Sequence, residues 1–544
     1  MLNVKIAWYR AFQAVVNQIA KTLPWRKSEI LEGGAGSILR IPALLAAQGL
    51  NKPLVVTDQG LIHTKIALKL LTVLDAASIP YAIYDQTKQN PTIAMVQAIS
   101  DLYVQENCDA LLAIGGGSVI DAAKGAGVLI VRPNADIRRM EGLLKVRKKL
   151  PPLIVVPTTA GTGSETTCAA LLTDQDTHHK YAIIDLCLIP HYAVLDPELT
   201  LGLPPAITAA TGMDALTHAV EAYLCWTYNT QESIQTAEEA VALIFRNLEK
   251  AYKNGNDLEA RNNMLLAAYK AGFAFTRAGV GNIHAIAHTL GGLYNTPHGL
   301  ANAVIMPVVL EDYGTKAHKK LAKLAECAGI ASPGASAAHN ADLFIGEIYA
   351  MNERMGIPTG FDFIREQDID QIIAWADAEC NPQYPVPVVY DKTRYRRIIE
   401  RIRIKTYSIG ETCVGCTACV KQCPVNAISG ERKHRHIINK IRCMSCGVCG
   451  RVCPSSAIFD ENGSLCVALP KAKWKQPIIR QELCTACGLC VMVCTLGALE
   501  ISLPMFQGDI QVHAILQNPK KCVSCGLCAR ECPMHAISLE NTHD

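Results

Sequence analysis

The chain has 544 residues, 50% of them hydrophobic and 19% charged, with 52 Lys and Arg against 49 Asp and Glu and a formal net charge of +3. At roughly 150 residues per domain, this predicts three or four domains with large apolar cores and excludes a disordered chain. The balanced charge offers no bulk attraction for nucleic acid, and no uninterrupted apolar run reaches the about 18 residues that a membrane-spanning helix needs.

Cysteine is the most informative residue type. Of 23 cysteines, six are scattered without paired spacing (Cys108, Cys168, Cys187, Cys225, Cys327 and Cys380), sixteen fall into four motifs after residue 412, and Cys466 stands alone. A secreted disulfide protein would not concentrate its thiols this way, so a reducing, cytoplasmic setting with a metal-binding tail is expected.

In chain order, residues 1–27 place Tyr9, Phe12, Val15, Val16, Ile19 and Leu23 on one helical face. Asn17, Gln18 and Lys21 interrupt any signal-like apolar region. This helix packs on its own domain or on a sister subunit, or else lies on a membrane or in an assembly. Residues 28–203 alternate short apolar runs, such as PLVVT at 53–57, DALLAI at 109–114 and LIVV at 153–156, with helical stretches such as 91–105. That rhythm predicts an α/β domain with a parallel sheet covered on both faces. From 204 to 402 long helical patterns take over, as in 231–252, 258–275 and 316–328, and predict an all-helical domain. After 403 the cysteine motifs repeat in pairs, 403–465 and 483–544, with 466–482 read as a linker.

Two loops in the α/β region carry chemistry. Gly115, Gly116, Gly117 and Ser118 sit between an apolar run and a helix. Backbone N–H groups there can approach a pyrophosphate, although a glycine triplet can also be only a tight turn. Pro157–Glu165 (PTTAGTGSE) supplies hydroxyls after the next run. Together they point to a nucleotide without matching the G-x-G-x-x-G fingerprint. In the helical region, Asp214 and His218 are spaced i, i+4, as are His284 and His288, and His298 follows in NTPHG. Such pairs share a helix face, and one carboxylate with imidazoles suits a divalent transition metal with an open position.

The stretches TGMDALTHAVEAY (211–223) and HAIAHTLGGLYNTPHGLANA (284–303), with GGGS and PTTAGTGSE, resemble the iron-containing, group III alcohol dehydrogenase family over about residues 28–402. The resemblance implies an α/β dinucleotide-binding domain, an all-α metal domain and an active site in the cleft between them. It implies Fe2+, with Zn2+ possible, on Asp214, His218, His284 and His298, and His288 as a further catalytic histidine near the nicotinamide. It places the cofactor on Gly115, Gly116, Gly117, Ser118 and Asp121, on Thr158, Thr159 and Thr162, and on Lys180. Asp58 would face the adenosine ribose, where a carboxylate favours NAD over NADP. The implied reaction is hydride transfer between an alcohol or aldehyde and the nicotinamide. The family's habit implies a homodimer or larger oligomer.

The tail repeats C-x2-C-x2-C-x3-C four times. Thiolates are soft ligands that satisfy an iron–sulfur cube, whereas zinc takes single quartets, usually as two pairs. The region resembles two tandem bacterial two-cluster ferredoxin modules, small α+β domains in which the fourth cysteine of each motif serves the partner cluster. That resemblance implies four 4Fe-4S clusters: one on Cys413, Cys416, Cys419 and Cys453; two on Cys443, Cys446, Cys449 and Cys423; three on Cys484, Cys487, Cys490 and Cys532; four on Cys522, Cys525, Cys528 and Cys494. Thr495 departs from the pattern, since proline follows the fourth cysteine in the other three copies.

Hydride chemistry moves two electrons together and cubes move one, yet no flavin domain is evident. Three readings follow: a tail that exchanges electrons with a ferredoxin or flavoprotein, a tail that only docks the enzyme in an assembly, or a non-catalytic body carrying an electron-transfer tail. The complete metal set argues against the last. Arg432, Lys433, Arg435, Lys440 and Arg442 form either a solvated face or a dock for an acidic carrier. Oxygen-sensitive groups imply an anaerobic setting.

Overall fold

In the computed structural model, residues 2–31, 33–176, 180–404, 406–440, 442–461, 463–504 and 512–541 are described. The chain divides into two compact units, Met1–Gly360 with Asp368–Ile402, and Phe361–Gln367 with Arg403–Asp544.

The first unit begins with the helix Leu2–Thr22. Gln13 is fully buried and fixes it to its own unit: its amide donates to the Pro382 and Tyr384 carbonyls, both at 2.8 Å, and its oxygen accepts from Trp226 Nε1 at 2.5 Å. A six-stranded sheet follows, in the spatial order Glu29–Ile30, Tyr192–Ala193, Leu153–Pro157, Ala110–Gly115, Pro53–Val56 and Ala82–Tyr84. Every neighbouring pair is parallel. The three central strands are buried at every position, as uninterrupted apolar runs require when helices cover both faces. Val55, Leu112 and Ile154 face a layer with Ile41, Leu45 and Leu70, while Leu54, Leu111 and Val155 face Val96, Ile99 and Ala123.

From Pro53–Val56 the chain goes to the edge strand Ala82–Tyr84 and returns on the other side at Ala110–Gly115. The carboxyl ends of Pro53–Val56 and Ala110–Gly115 therefore flank a topological switch point, the crevice where open α/β sheets bind ligands. A second sheet, Gly142–Leu143, Lys180–Ile184 and Ala169–Thr173, is not anticipated in the sequence. Its two longer strands bury only alternate residues, and such half-buried patterns are hard to separate from loop.

The helices Pro205–Leu224, Gln231–Lys253 and Leu258–Ala278 pack on one another. Their starts are written locally: Pro205 occupies the first turn of its helix, Thr230 and Ser233 form a reciprocal capping box, and Asp257 accepts from Ala260 N at 2.9 Å. Asn282–Tyr294 ends at Asn295 in a left-handed conformation, and Pro297 leads directly into His298–Tyr313. Among the described residues no helix is long and apolar enough to cross a membrane.

The second unit is built from short helices and two-stranded antiparallel sheets. Ser408–Ile409 pairs with Ile458–Phe459 and Ile428–Ser429 with Ile437–Ile438, around the helices Ala418–Gln422 and Val448–Val452. Gln476–Ile479 pairs with Ile537–Glu540 and Glu500–Ile501 with Ala514–Ile515, around Leu489–Met492 and Leu527–Arg530. The expected linker 466–482 is thus more than a connector. Gln476–Ile479 completes the second module's sheet, and Trp474 is buried between Val448 and Val523. Residues 361–367, expected within the helical domain, belong to this unit, where Arg403 Nε donates to the Ile364 carbonyl at 3.0 Å.

Candidate metal centre, cofactor cleft and cluster-binding tail

Three helices of the first unit deliver the metal candidates. Asp214 and His218 come from Pro205–Leu224, His284 from Asn282–Tyr294, and His298 is the first residue of His298–Tyr313. One ligand atom from each of these four residues lies within 4.8 Å of the others. The approach of the first and third helices depends on Gly299, where a Cβ would stand 2.2 Å from the Ala210 carbonyl oxygen. Any side chain there would push His298 away from Asp214.

Groups around the four fix their orientation. His284 Nδ1 contacts Glu221 at 2.6 Å, which orients the ring so that Nε2 faces the centre. Glu221 also accepts from Gly281 N and Ile283 N, each at 2.8 Å, and burial pushes its carboxyl up to about 7 against those donors. Phe275 stacks on His218 at 4.2 Å between ring centroids. His288 stands beside the set, stacked on His298 at 5.0 Å, and its Nδ1 contacts Glu379 at 2.6 Å. Glu379 also accepts from Tyr384 Oη at 2.8 Å.

The donor set has the chemistry of a cation site. Burial holds His218 down at about 3 and His284 and His298 well below the ordinary imidazole range, so all three rings are neutral. Asn302 Nδ2 lies 2.7 Å from Asp214 Oδ1 and 3.2 Å from both His284 Nε2 and His298 Nε2. An amide offers two hydrogens to these three acceptors, and a divalent ion would satisfy the remaining lone pairs.

These residues open onto a cavity of about 1550 Å³. Gly116, Gly117, Ser118 and Asp121 line it from the first loop, and Thr158, Thr159 and Thr162 from the second. Gly115 is set back as the last strand residue, where a Cβ would strike Val119 at 2.5 Å. Asp121 is spanned by the second loop, accepting from Ser164 Oγ at 2.7 Å and Leu171 N at 3.2 Å. Asp58 lines the cavity and caps a short helix by accepting from Leu61 N at 2.9 Å. Lys180 lines it too, donating to Asn90 Oδ1 at 3.0 Å. Lys124, buried beneath on the helix that follows the first loop, donates to Ser164 Oγ in the second loop at 3.3 Å and to the Thr167 and Ala169 carbonyls just after it at 2.9 and 2.8 Å.

Sequence reasoning passed over Glu221, Asn302, Lys124 and Glu379. The first three had a spacing signal: Glu221 is three residues after His218, Asn302 four after His298 and Lys124 three after Asp121. Glu379 had none, since it lies 91 residues from His288.

In the second unit Cys484, Cys487, Cys490 and Cys532 line one small cavity, and Cys494, Cys522, Cys525 and Cys528 line another. Cys413, Cys419, Cys423, Cys443, Cys449 and Cys453 share one buried cluster, while Cys416 is exposed and Cys446 packs against Val448, Trp474 and Val523. The fourth cysteine of every copy accepts a backbone N–H from the alanine four residues on, at 3.2 to 3.4 Å, which suits a thiolate. The His436 ring is buried with Nδ1 4.0 Å from Cys413 Sγ. Of the basic residues noted in the sequence, Arg435 donates to the Ile409 carbonyl and Lys440 pairs with Asp362.

Known proteins align with both units. Residues 29–197 match the description "Iron-containing alcohol dehydrogenase" and 208–394 "Fe-containing alcohol dehydrogenase family, C-terminal". Residues 412–458 match "4Fe-4S dicluster domain", and 477–500 and 515–538 "4Fe-4S binding domain". Alcohol dehydrogenase 4 of Schizosaccharomyces pombe is 37% identical over 365 residues, 66% of this chain and 85% of that protein. The NAD-dependent methanol dehydrogenase of Bacillus methanolicus is 38% identical over 339 residues, 62% of this chain and 88% of that protein. The crystal structure of a 1,3-propanediol oxidoreductase superposes with a TM-score of 0.67 at 34% identity, covering 70% of this chain and all (100%) of that one. With these relatives covered nearly end to end and the donor set in its cleft, the chain belongs to the iron-containing alcohol dehydrogenase family and carries a 4Fe-4S ferredoxin-like tail.

Proposed function

We propose that the chain interconverts a primary alcohol and its aldehyde with NAD(H), on an α/β domain 28–203 and a helical domain 204–402, while its tail holds four 4Fe-4S clusters that exchange electrons with a ferredoxin or flavoprotein. The observation that carries the reading is the convergence of Asp214, His218, His284 and His298 within 4.8 Å, facing a cavity that the glycine loop also lines. These four would hold Fe2+, and a bound divalent ion supplies Lewis-acid polarisation of the substrate oxygen. The rest falls to the chain. Gly116–Ser118 and Thr158–Thr162 hold the pyrophosphate and so set the nicotinamide's reach. Asp58 accepts from the ribose and repels a 2′-phosphate. His288, braced by Glu379, holds or relays a proton at Nε2, and Phe275 keeps water from the far side of His218.

The NAD preference is supported by Asp58 and by the NAD dependence of the methanol dehydrogenase relative. In the tail, Cys453 and Cys532 would complete clusters one and three, and Cys423 and Cys494 clusters two and four. The deciding experiment is anaerobic purification with iron, zinc and sulfide analysis, followed by an alcohol and aldehyde panel with NAD and NADP. Metal in the body with no turnover of any panel member would overturn the dehydrogenase reading. Sulfide well short of four cubes would overturn the tail reading.

A further inference from the structure

The one irregularity in the cysteine repeat lies where the two modules meet. Proline follows the fourth cysteine in three copies, as Pro424, Pro454 and Pro533, and Thr495 replaces it in the third. Thr495 Oγ1 donates to the Pro424 carbonyl at 2.7 Å. A proline at 495 has no hydroxyl and could not make this bond. Each of the two residues directly follows a motif cysteine in the chain: Pro424 follows Cys423 in one module and Thr495 follows Cys494 in the other. The bond therefore closes a short path, Cys423 to Pro424 to Thr495 to Cys494.

Three further contacts clamp the same junction. Arg451 Nη2 donates to the Cys446 carbonyl at 3.3 Å in its own module, and to the Val523 and Ser524 carbonyls at 3.3 and 3.0 Å in the other. Its guanidinium lies 5.8 Å from the Trp474 ring centroid. Trp474 is buried with Val448 and Val523, and Cys446 and Cys525 pack against this group. Cys416 in one module and Cys487 in the other are exposed.

We propose that Thr495, Pro424, Arg451 and Trp474 join the two modules into one relay, ordered one, two, four, three, with clusters two and four meeting at the Pro424–Thr495 bridge and clusters one and three as its exposed ends. This rests on the reading that the sixteen motif cysteines hold four cubes. Each transfer takes one electron from a reduced cube and gives it to its oxidised neighbour, with no bond broken and no proton moved. A tail of two independent ferredoxins would need neither the threonine nor the arginine clamp. A relay needs both, because electron transfer falls steeply with separation.

The test uses the full-length anaerobic protein. Iron and sulfide analysis comes first; fewer than four cubes in the wild type overturns the cluster reading, not the bridge. With four cubes present, the dithionite-reduced wild type is expected to show low-temperature EPR interaction broadening beyond that of the double variant Arg451→Ala/Thr495→Pro. Reoxidation by substoichiometric ferricyanide is expected to be uniform across clusters in the wild type and to split into two phases in the variant. Spectra and reoxidation that superimpose at equal iron content overturn the relay. Should the double variant lose iron, Thr495→Val and Thr495→Ser decide. Serine keeps the hydroxyl and should behave as wild type, whereas valine should slow exchange between modules severalfold. Valine indistinguishable from wild type in both measurements overturns the bridge.

Discussion

The two units hold their sites by opposite means. In the dehydrogenase unit, Asp214 and His298 are 84 positions apart, and packing of three buried helices brings them together. In the tail, each run of three motif cysteines spans seven residues, and the hydrophobic clusters are themselves partly cysteine, with Cys419, Cys449 and Cys453 in one and Cys490, Cys528 and Cys532 in the other. The first unit has cores built mainly of aliphatic and aromatic side chains. The second has cores built partly of the motif cysteines. A site made by packing precedes its metal, and a site made by local motifs depends on it.

The largest expected effect comes from removing the clusters with an oxidant and chelator. The tail should lose its fold and become open to protease, while the first unit keeps its helical circular dichroism and thermal transition. A tail that stays protease-resistant without iron would erase the contrast. His298→Ala should come next. It is expected to abolish bound body metal and alcohol oxidation, with the tail's visible absorption unchanged; activity surviving in a metal-depleted variant would remove this site from the reaction. Glu221→Gln should weaken metal affinity by about 10–100-fold through His284, read by chelator competition, without affecting tail iron. The smallest effect is Asp58→Ser, which keeps a cap for the helix and should move the NADP-to-NAD ratio of kcat/KM upward by about tenfold, roughly 1.4 kcal/mol.

The same contrast governs what could be read from the sequence. The cysteine repeat, which the 4Fe-4S domains match, was legible because its spacing is local. The helix-spaced Asp214/His218 pair was legible because i, i+4 fixes a shared face. Glu221, three residues after His218, and Asn302, four after His298, also sit at helix-face spacings and were passed over, because carboxylates and amides there usually face solvent. Glu379 was beyond reach, since only tertiary packing sets it against His288. The strand Gln476–Ile479 was hidden because its partner, Ile537–Glu540, is 58 or more residues away. Thr495 was visible as an exception, but its reason lay in a neighbouring module.

The buried Lys124 ammonium has a consequence for cofactor capture. It donates to Thr167 and Ala169 from beneath the glycine loop, and burial lowers it to about 8. Asp121, on the same helix, accepts from Ser164, so two buried groups anchor the second loop to the helix that follows the first. A dinucleotide bound on these loops would meet a preorganised floor, with little conformational entropy left to surrender. Affinity in such a cleft is governed by how well the ligand fits a rigid mould, so cofactor analogues with altered pyrophosphate geometry should be rejected sharply instead of being accommodated.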